Sequence, residues 1–242
     1  RIAILGDSES VGLLLRQEDT LSGELMKVLN EMTKSSKFEV LDFGFPGYNI
    51  QQKARILATK AIHYNPKIVI FYYVFNDPLP YANTELITPS PLLRSYLYVF
   101  IKYYRMLNQM SNFQFAHQNK SFVAYFQSLH ASADFEDCKN WIKRMGKILH
   151  EMNIKFIVVI APEMICYDDF KHYPYRNIHK KLMEMSSLEV EVLDPLNDFA
   201  SSGYKPTDLW VSPYDCHKGK IANRIIAKSI SNYILRPDCL KK

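Results

Sequence analysis

The run IVIFYYVF at residues 68–75 is the longest uninterrupted apolar stretch of the chain. It is rich in β-branched and aromatic residues, and it is far shorter than the roughly 20 residues of a membrane span, so it is predicted to be a buried strand. A strand that is apolar on both faces belongs to a sheet covered by helices on both sides. The stretch therefore predicts a parallel sheet inside an α/β fold.

Shorter strand-like runs and helical patterns alternate on either side of this stretch. The further strands are predicted at residues 1–5, 38–43, 155–160 and 190–193. Helical spacing predicts helices over residues 11–32, with a loop around 16–19, and over 51–64, 136–152, 175–187 and 218–235. This alternation predicts one α/β domain over residues 1–235, followed by a tail over 236–242.

One region interrupts the alternation. Residues from about 78 to 135 contain no clear strand, and they are predicted to form a helical insertion with a long aromatic helix over 92–107. The apolar face of that helix is expected to pack on the domain. Its basic residues also leave open an association with an anionic membrane surface.

Composition excludes several classes of function. The chain has 242 residues, is 48% hydrophobic and carries a formal net charge of +5, as expected of a globular protein. The basic excess forms no dense stripe and no nucleic-acid motif occurs, so no nucleic-acid partner is expected. The four cysteines and seven histidines show no metal-ligand spacing. No metal site is predicted, and the compartment stays open.

The loops that follow the strands are the informative ones, because ligands bind beyond the carboxyl ends of parallel strands. Gly6-Asp7-Ser8 follows the first strand, and Gly6 permits a tight exit from it. Ser8 then falls at the start of a helical segment, where free backbone N–H groups favour negative charge. Asp7 and Ser8 are equally suited to capping a helix, so this motif alone leaves nucleophile and cap open.

Two further loops supply hydrogen-bond donors. Gly47, within Gly44-Phe45-Pro46-Gly47 after the second strand, can offer its backbone N–H to a ligand or simply form a turn. Asn76, after the third strand, can direct its side-chain amide to the same place or start the turn before Pro78. Each signal is weak alone.

The last loop contains Asp215-Cys216-His217. If the backbone is extended there, residues two apart share a face, so Asp215 can orient the imidazole of His217. Such an imidazole can take the proton of a serine. A surface histidine beside a helix cap is the alternative. Each of the four loops supplies a residue type that acyl transfer needs. Such agreement among four loops is far less expected by chance than a match in any one of them.

Together these blocks resemble the SGNH (GDSL-like) hydrolase superfamily, whose name denotes a Ser, a Gly, an Asn and a His. The resemblance implies a flavodoxin-like three-layer α/β/α sandwich with a five-stranded parallel sheet. It implies the catalytic residues Ser8, Asp215 and His217, and an oxyanion hole formed by Ser8, Gly47 and Asn76. It also implies no metal or organic cofactor, and it favours an exported or periplasmic protein.

Three positions depart from the family pattern. Val74 stands where the family usually has Gly, Tyr214 stands where it places the acid, and Lys218 stands where it has Pro. The second departure leaves Asp208 as a reserve for Asp215. Some polysaccharide O-acetyltransferase relatives use an Asp-x-His pair, which keeps Asp215 favoured.

The sequence therefore predicts a serine-dependent ester hydrolase that acts through an acyl-serine intermediate on a small-molecule or carbohydrate ester. An O-acyltransferase acting on a carbohydrate is the first alternative, and a non-catalytic flavodoxin-like binding module is the second. An α/β-hydrolase is disfavoured, because its serine requires a GxSxG elbow that this sequence lacks.

Overall fold

The central sheet has five parallel strands. The computed structural model describes residues 1–34, 37–80 and 121–237. Within them the strands lie in the order β2-β1-β3-β4-β5, which is the flavodoxin-like order. They are β1 (Ile2–Leu5), β2 (Val40–Asp42), β3 (Ile68–Tyr73), β4 (Lys155–Ile160) and β5 (Glu191–Leu193). The five-stranded parallel sheet predicted from the sequence is confirmed.

Helices cover both faces of this sheet. In the described part of the chain they are α1 (Ser8–Val11), α2 (Leu21–Thr33), α3 (Ile50–Thr59), α4 (Ser121–Leu129), α5 (Ala133–Glu151), α6 (Arg176–Met183), α7 (Leu196–Ala200) and α8 (Lys220–Ile234). Helices α2 and α8 pack on each other on one face, and α3 packs on α5 on the other. None of these described helices is long and apolar enough to cross a lipid bilayer.

The apolar stretch that predicts the fold forms the centre of the sheet. Strand β3 pairs with β1 through Ile68–Phe71 and with β4 along its whole length. Its residues from Val69 to Tyr73 are fully buried, as expected of a strand covered on both faces. The strand ends at Tyr73 rather than at residue 75, because the Val74 N–H donates to the Asp77 carboxylate at 2.8 Å.

The chain between β5 and the last helix is more elaborate than the sequence predicts. It contains α7, a 3₁₀ helix over Pro206–Leu209, and an antiparallel hairpin of β6 (Trp210–Ser212) and β7 (Asp215–Lys218). These elements are too short to give a periodic signal. In this hairpin the backbone of residues 215–218 is extended, so Asp215 and His217 share a face as the sequence predicts for an extended backbone.

Only part of the predicted insertion can be compared with the structure. Helix α4 lies inside it, and α5 begins at Ala133, earlier than the predicted residue 136. The predicted aromatic helix over 92–107 lies outside the described residues, as does the tail from residue 238. Association of that helix with an anionic membrane surface stays a prediction.

Candidate active site

The candidate site lies where the strand order reverses. Strand β1 stands between β2 and β3, so the chain leaves β1 towards one edge of the sheet and leaves β3 towards the other. Such a switch point opens a crevice at the carboxyl ends of the two strands. Ser8 follows β1 and Asn76 follows β3, so both lie at this crevice.

Ser8 is the first residue of α1. The preceding residue, Asp7, caps the helix, and its carboxylate accepts the Glu9 N–H at 2.9 Å. The cap and the candidate nucleophile are therefore neighbouring residues, and the two interpretations of this motif are compatible. Because α1 has only 4 residues, Ser8 gains a free backbone N–H there rather than the dipole of a long helix.

The structure brings the N-terminal serine and the C-terminal histidine together. The Ser8 Oγ lies 3.0 Å from the His217 Nε2. On the other side of the ring, the His217 Nδ1 lies 2.5 Å from the Asp215 Oδ1, which also accepts the His217 N–H at 3.0 Å. A carboxylate at Nδ1 holds the proton there and leaves Nε2 free to accept the proton of the serine.

Asp208, the reserve candidate for the acid, is engaged elsewhere. Its Oδ2 accepts the Lys205 N–H at 2.9 Å at the start of the 3₁₀ helix Pro206–Leu209. The structure thus places Asp215, and not Asp208, against His217.

The charges around His217 favour its protonated form. Burial of the ring lowers the pKa of His217, but the Glu9 carboxylate and the hydrogen bond and charge of Asp215 outweigh burial. The pKa of His217 therefore lies above its ordinary value of 6.5. A base of this kind is lost as the pH falls through its pKa.

Gly47 stands at the third position of a β-turn. The Tyr48 N–H donates to the Phe45 carbonyl at 3.1 Å, Pro46 takes the second position, and Gly47 has φ +80. This is a type II turn, which favours glycine at that position. A Cβ at Gly47 would meet nothing within 4 Å, so the glycine supplies backbone conformation and not space. Its N–H donates no hydrogen bond to the described residues.

Asn76, which follows β3, has a side-chain amide without a hydrogen-bond partner among the described residues. Its Oδ1 is buried without a hydrogen-bond partner in the described structure. Its Nδ2 donates to none of the described residues either, and the residue is half-buried. The N–H groups of Ser8 and Gly47 and this amide are the three donors predicted for an oxyanion hole, and all three follow strands that meet at the switch point.

A buried ion pair joins α3, the helix that follows the Gly47 turn, to the loop that carries Asn76. The Lys53 Nζ, on α3, lies 2.7 Å from the Asp77 Oδ1, and both side chains are fully buried. The Lys53 ammonium also donates to the Tyr72 carbonyl at 2.9 Å, and the Asp77 carbonyl accepts the Ile50 N–H at 3.2 Å. The start of α3, just after the Gly47 turn, is thereby fixed to the loop of Asn76. This pair was not predicted from the sequence, because one lysine in a helix carries no local signal.

Two more charged residues, Glu9 and Lys218, flank the site. Their pairing was not predicted from the sequence either. The Lys218 N–H and Nζ both donate to the Glu9 Oε2, at 3.2 and 3.1 Å. The one signal available in the sequence is that Lys218 departs from the family pattern. Among the residues that the structure describes, no group of three or more His, Cys, Asp or Glu is arranged to hold a metal ion.

Comparison with solved structures identifies the fold. No protein-family model and no curated protein matches the sequence. The chain is similar to a protein of the G-D-S-L family from Desulfitobacterium hafniense, with 14% identity, 96% of this chain and 97% of that one covered, and a TM-score of 0.53. It is also similar to a catalytic mutant of the acetylxylan esterase Axe2 from Geobacillus stearothermophilus, with 14% identity, coverages of 97% and 93%, and a TM-score of 0.56.

A third similar structure is the psychrotrophic esterase EstA from Pseudoalteromonas sp., inhibited by monoethylphosphonate. Identity is 15%, the alignment covers 96% of this chain and 95% of that one, and the TM-score is 0.53. Each alignment extends over nearly the whole of both chains at a TM-score above 0.5. The chain therefore has the fold of the SGNH (GDSL-like) hydrolases.

Proposed function

We propose that this protein is a serine-dependent carboxylic-ester hydrolase with Ser8, His217 and Asp215 as its catalytic residues. The observation that carries the proposal is the continuous chain of contacts from the Ser8 Oγ through the His217 ring to the Asp215 carboxylate. The contacts are within hydrogen-bond distance, as general-base activation of a serine requires.

In the proposed cycle the His217 Nε2 takes the proton of the Ser8 hydroxyl as the Ser8 Oγ attacks the ester carbonyl. Asp215 holds the other ring nitrogen and stabilises the imidazolium that forms. The imidazolium then gives its proton to the leaving alkoxide, which departs as the alcohol and leaves an acyl-Ser8. Water, deprotonated by His217, attacks this acyl group; the imidazolium then returns the proton to the departing Ser8 Oγ, which releases the acid and restores the free serine.

The negative charge on the tetrahedral intermediate is held by the N–H groups of Ser8 and Gly47 and by the Asn76 amide. These donors have no competing partner within the described residues. Donors that are fixed before the reaction stabilise the developing charge without reorganisation in the transition state. The Lys53–Asp77 pair keeps two of the three in place.

The experiment that tests this function compares the native protein with Ser8→Ala on p-nitrophenyl esters of increasing acyl length. The native protein should hydrolyse at least one ester of the series, and Ser8→Ala should reduce kcat by about ten-thousand-fold or more. Ser201→Ala, at an exposed serine, is the control and should leave kcat unchanged. An active Ser8→Ala variant would end the proposal.

Transfer of the acyl group to a carbohydrate is the second candidate. It is favoured by the Asp215-Cys216-His217 spacing, which resembles that of some polysaccharide O-acetyltransferases. Two similar structures are acetyl xylan esterases, which supports a carbohydrate ester as the substrate of either reaction. Product analysis with p-nitrophenyl acetate and added xylo-oligosaccharide separates the two. Acetylated sugar supports transfer, whereas release of acetate alone supports hydrolysis.

A further inference from the structure

We propose that Glu9 and Lys218 act as a buried charge pair that positions Ser8 against His217 and places two opposite charges beside that base. Glu9 directly follows the candidate nucleophile, and Lys218 directly follows the candidate base. The inference rests on the proposed function for its catalytic consequence, although the pair itself is a feature of the geometry.

The pair joins the two ends of the chain at the site. Both the backbone N–H and the side-chain Nζ of Lys218 donate to one carboxylate oxygen of Glu9, at 3.2 and 3.1 Å. The backbone contact involves the peptide that links His217 to Lys218, so it fixes the chain immediately beside the base. A shift of about 1 Å at such a place costs roughly 100-fold in rate.

The pair is shielded from water. The side chain of Lys218 is 2% exposed and that of Glu9 is 14% exposed. Exposed ion pairs contribute little because water and salt screen them, but a buried charge that loses its partner is strongly unfavourable. Each member of this pair therefore depends on the other.

Charges from three elements face His217. They are Glu9 from α1, Asp215 and Lys218 from β7, and Glu163 from the loop after β4. That loop contacts the hairpin directly, since the Trp210 Nε1 donates to the Met164 carbonyl at 3.0 Å. Burial disfavours a charged Lys218, but Glu9 and Glu163 outweigh burial and raise the pKa of Lys218, so the ammonium stays charged.

This arrangement gives the two members opposite effects on His217. Glu9 raises the pKa of His217, whereas Lys218 lowers it. The Glu9→Gln change removes a negative charge and should move the acid limb of the pH–rate profile to lower pH. The Lys218→Met change removes a positive charge and should move the same limb to higher pH. A purely structural role would not move the limb in opposite directions.

The experiment measures inactivation by a fluorophosphonate against pH for the native protein, Glu9→Gln, Lys218→Met and the double variant. Each single change should slow inactivation about tenfold or more at its own optimum. The double variant, which removes both charges of the pair, should return the limb towards its native position and lose less than the two single losses combined. Lys220→Met is the control, because Lys220 pairs with Asp19 but its side chain is 58% exposed.

An NMR titration of the His217 ring, assigned with His217→Gln, gives the same test without catalysis. Failure of Ser8 to react would refute the proposed function, while the titration would still measure the pair. Three results would overturn the inference. The acid limb and the ring titration could move in the same direction in both single variants, could stay in place, or could move equally in Lys220→Met.

Discussion

At the scale of single residues, adjacent side chains at the site make different contacts. Asp7 satisfies the start of α1, which leaves the hydroxyl of Ser8 for His217. Asp215 is joined to His217 twice, through the ring and through the backbone N–H. Alternation along the short strand β7 accounts for this, since it sets residues two apart on one face.

Replacing Asn76 by Ala should lower kcat by about 100- to 1000-fold, because one of the three proposed oxyanion donors is lost. KM for the same ester should change little, since the donor acts mainly on the charge of the transition state. Steady-state kinetics on a p-nitrophenyl ester measure both constants. Asn197→Ala, on the exposed side of α7, is the matched control. A native kcat in Asn76→Ala would remove this residue from the oxyanion hole.

The acid of the site is tested by comparing Asp215→Ala with Asp208→Ala. The first variant should lose far more kcat, by about 10⁴-fold, because the imidazole loses the group that fixes its tautomer. The second should lose only the cap of a short 3₁₀ helix, at about 1 kcal/mol of stability. Kinetics and thermal unfolding of both variants provide the measurement. The reverse order of kcat losses would assign the acid to Asp208.

At the scale of elements, the strands and long helices follow from the sequence, whereas the site depends on contacts that no local pattern reveals. The both-face apolar run of β3 predicts the parallel sheet, and β4 begins and ends where its pattern predicts. The β6–β7 hairpin was not predicted, because strands of three and four residues give too little alternation.

The two ion pairs at the site, Lys53–Asp77 and Glu9–Lys218, join elements that are distant in sequence, so local patterns do not predict them. Asp77 ends the turn that follows β3, where its N–H donates to the Val74 carbonyl at 3.0 Å. Its second role, as partner of Lys53 on α3, requires the fold to be known. The same holds for Glu9 and Lys218, which lie at opposite ends of the chain.

Breaking the Lys53–Asp77 pair should destabilise the protein strongly. Lys53→Met leaves the Asp77 carboxylate buried without its cation, which typically costs about 3–5 kcal/mol. The combined Lys53→Met and Asp77→Asn variant should lose less than the sum of the single losses. Urea unfolding at pH 7.5 measures these changes in the free energy of unfolding. Lys139→Met, in an ion pair with the exposed Glu136, is the control and should stay within about 1 kcal/mol of the native protein. Equal losses at Lys53 and Lys139 would contradict this account.

At the scale of the whole molecule, Asp42, the half-buried last residue of β2, contributes to the pH dependence of stability. Burial raises the pKa of Asp42 to about 6, although its carboxylate accepts hydrogen bonds from the Gly44 N–H and the Ser10 hydroxyl. Its Oδ2 has no partner in the described structure. The folded state therefore binds this proton more tightly than the unfolded state, in which the ordinary pKa is 3.8. The resulting stability is complete below about pH 4 and is lost as the pH rises through 6.

Asp42→Asn, which is neutral at every pH, should remove this part of the pH dependence. The variant should be at least as stable as the native protein at pH 7.5, and its stability should fall less between pH 4 and 7.5, by up to about 3 kcal/mol. Urea unfolding at several pH values provides the comparison, with Asp168→Asn as an exposed control. An unchanged pH slope in Asp42→Asn would place the titration elsewhere.

The fold also explains why residues from the two ends of the chain share a site. Strand β1 lies inside the sheet, between β2 and β3. Helix α8 packs against α2, the long helix that follows α1 and its Ser8. The hairpin that precedes α8 is thereby held over the carboxyl end of β1. Joint action of Ser8 and His217 is the claim on which the proposed function depends.

Peptide mass spectrometry after treatment with a fluorophosphonate at pH 8 tests that claim most directly. We expect one adduct, on Ser8, formed in the native protein and at least about a thousandfold more slowly in His217→Gln. An adduct on another residue, no adduct, or equal labelling of Ser8 in both proteins would contradict it.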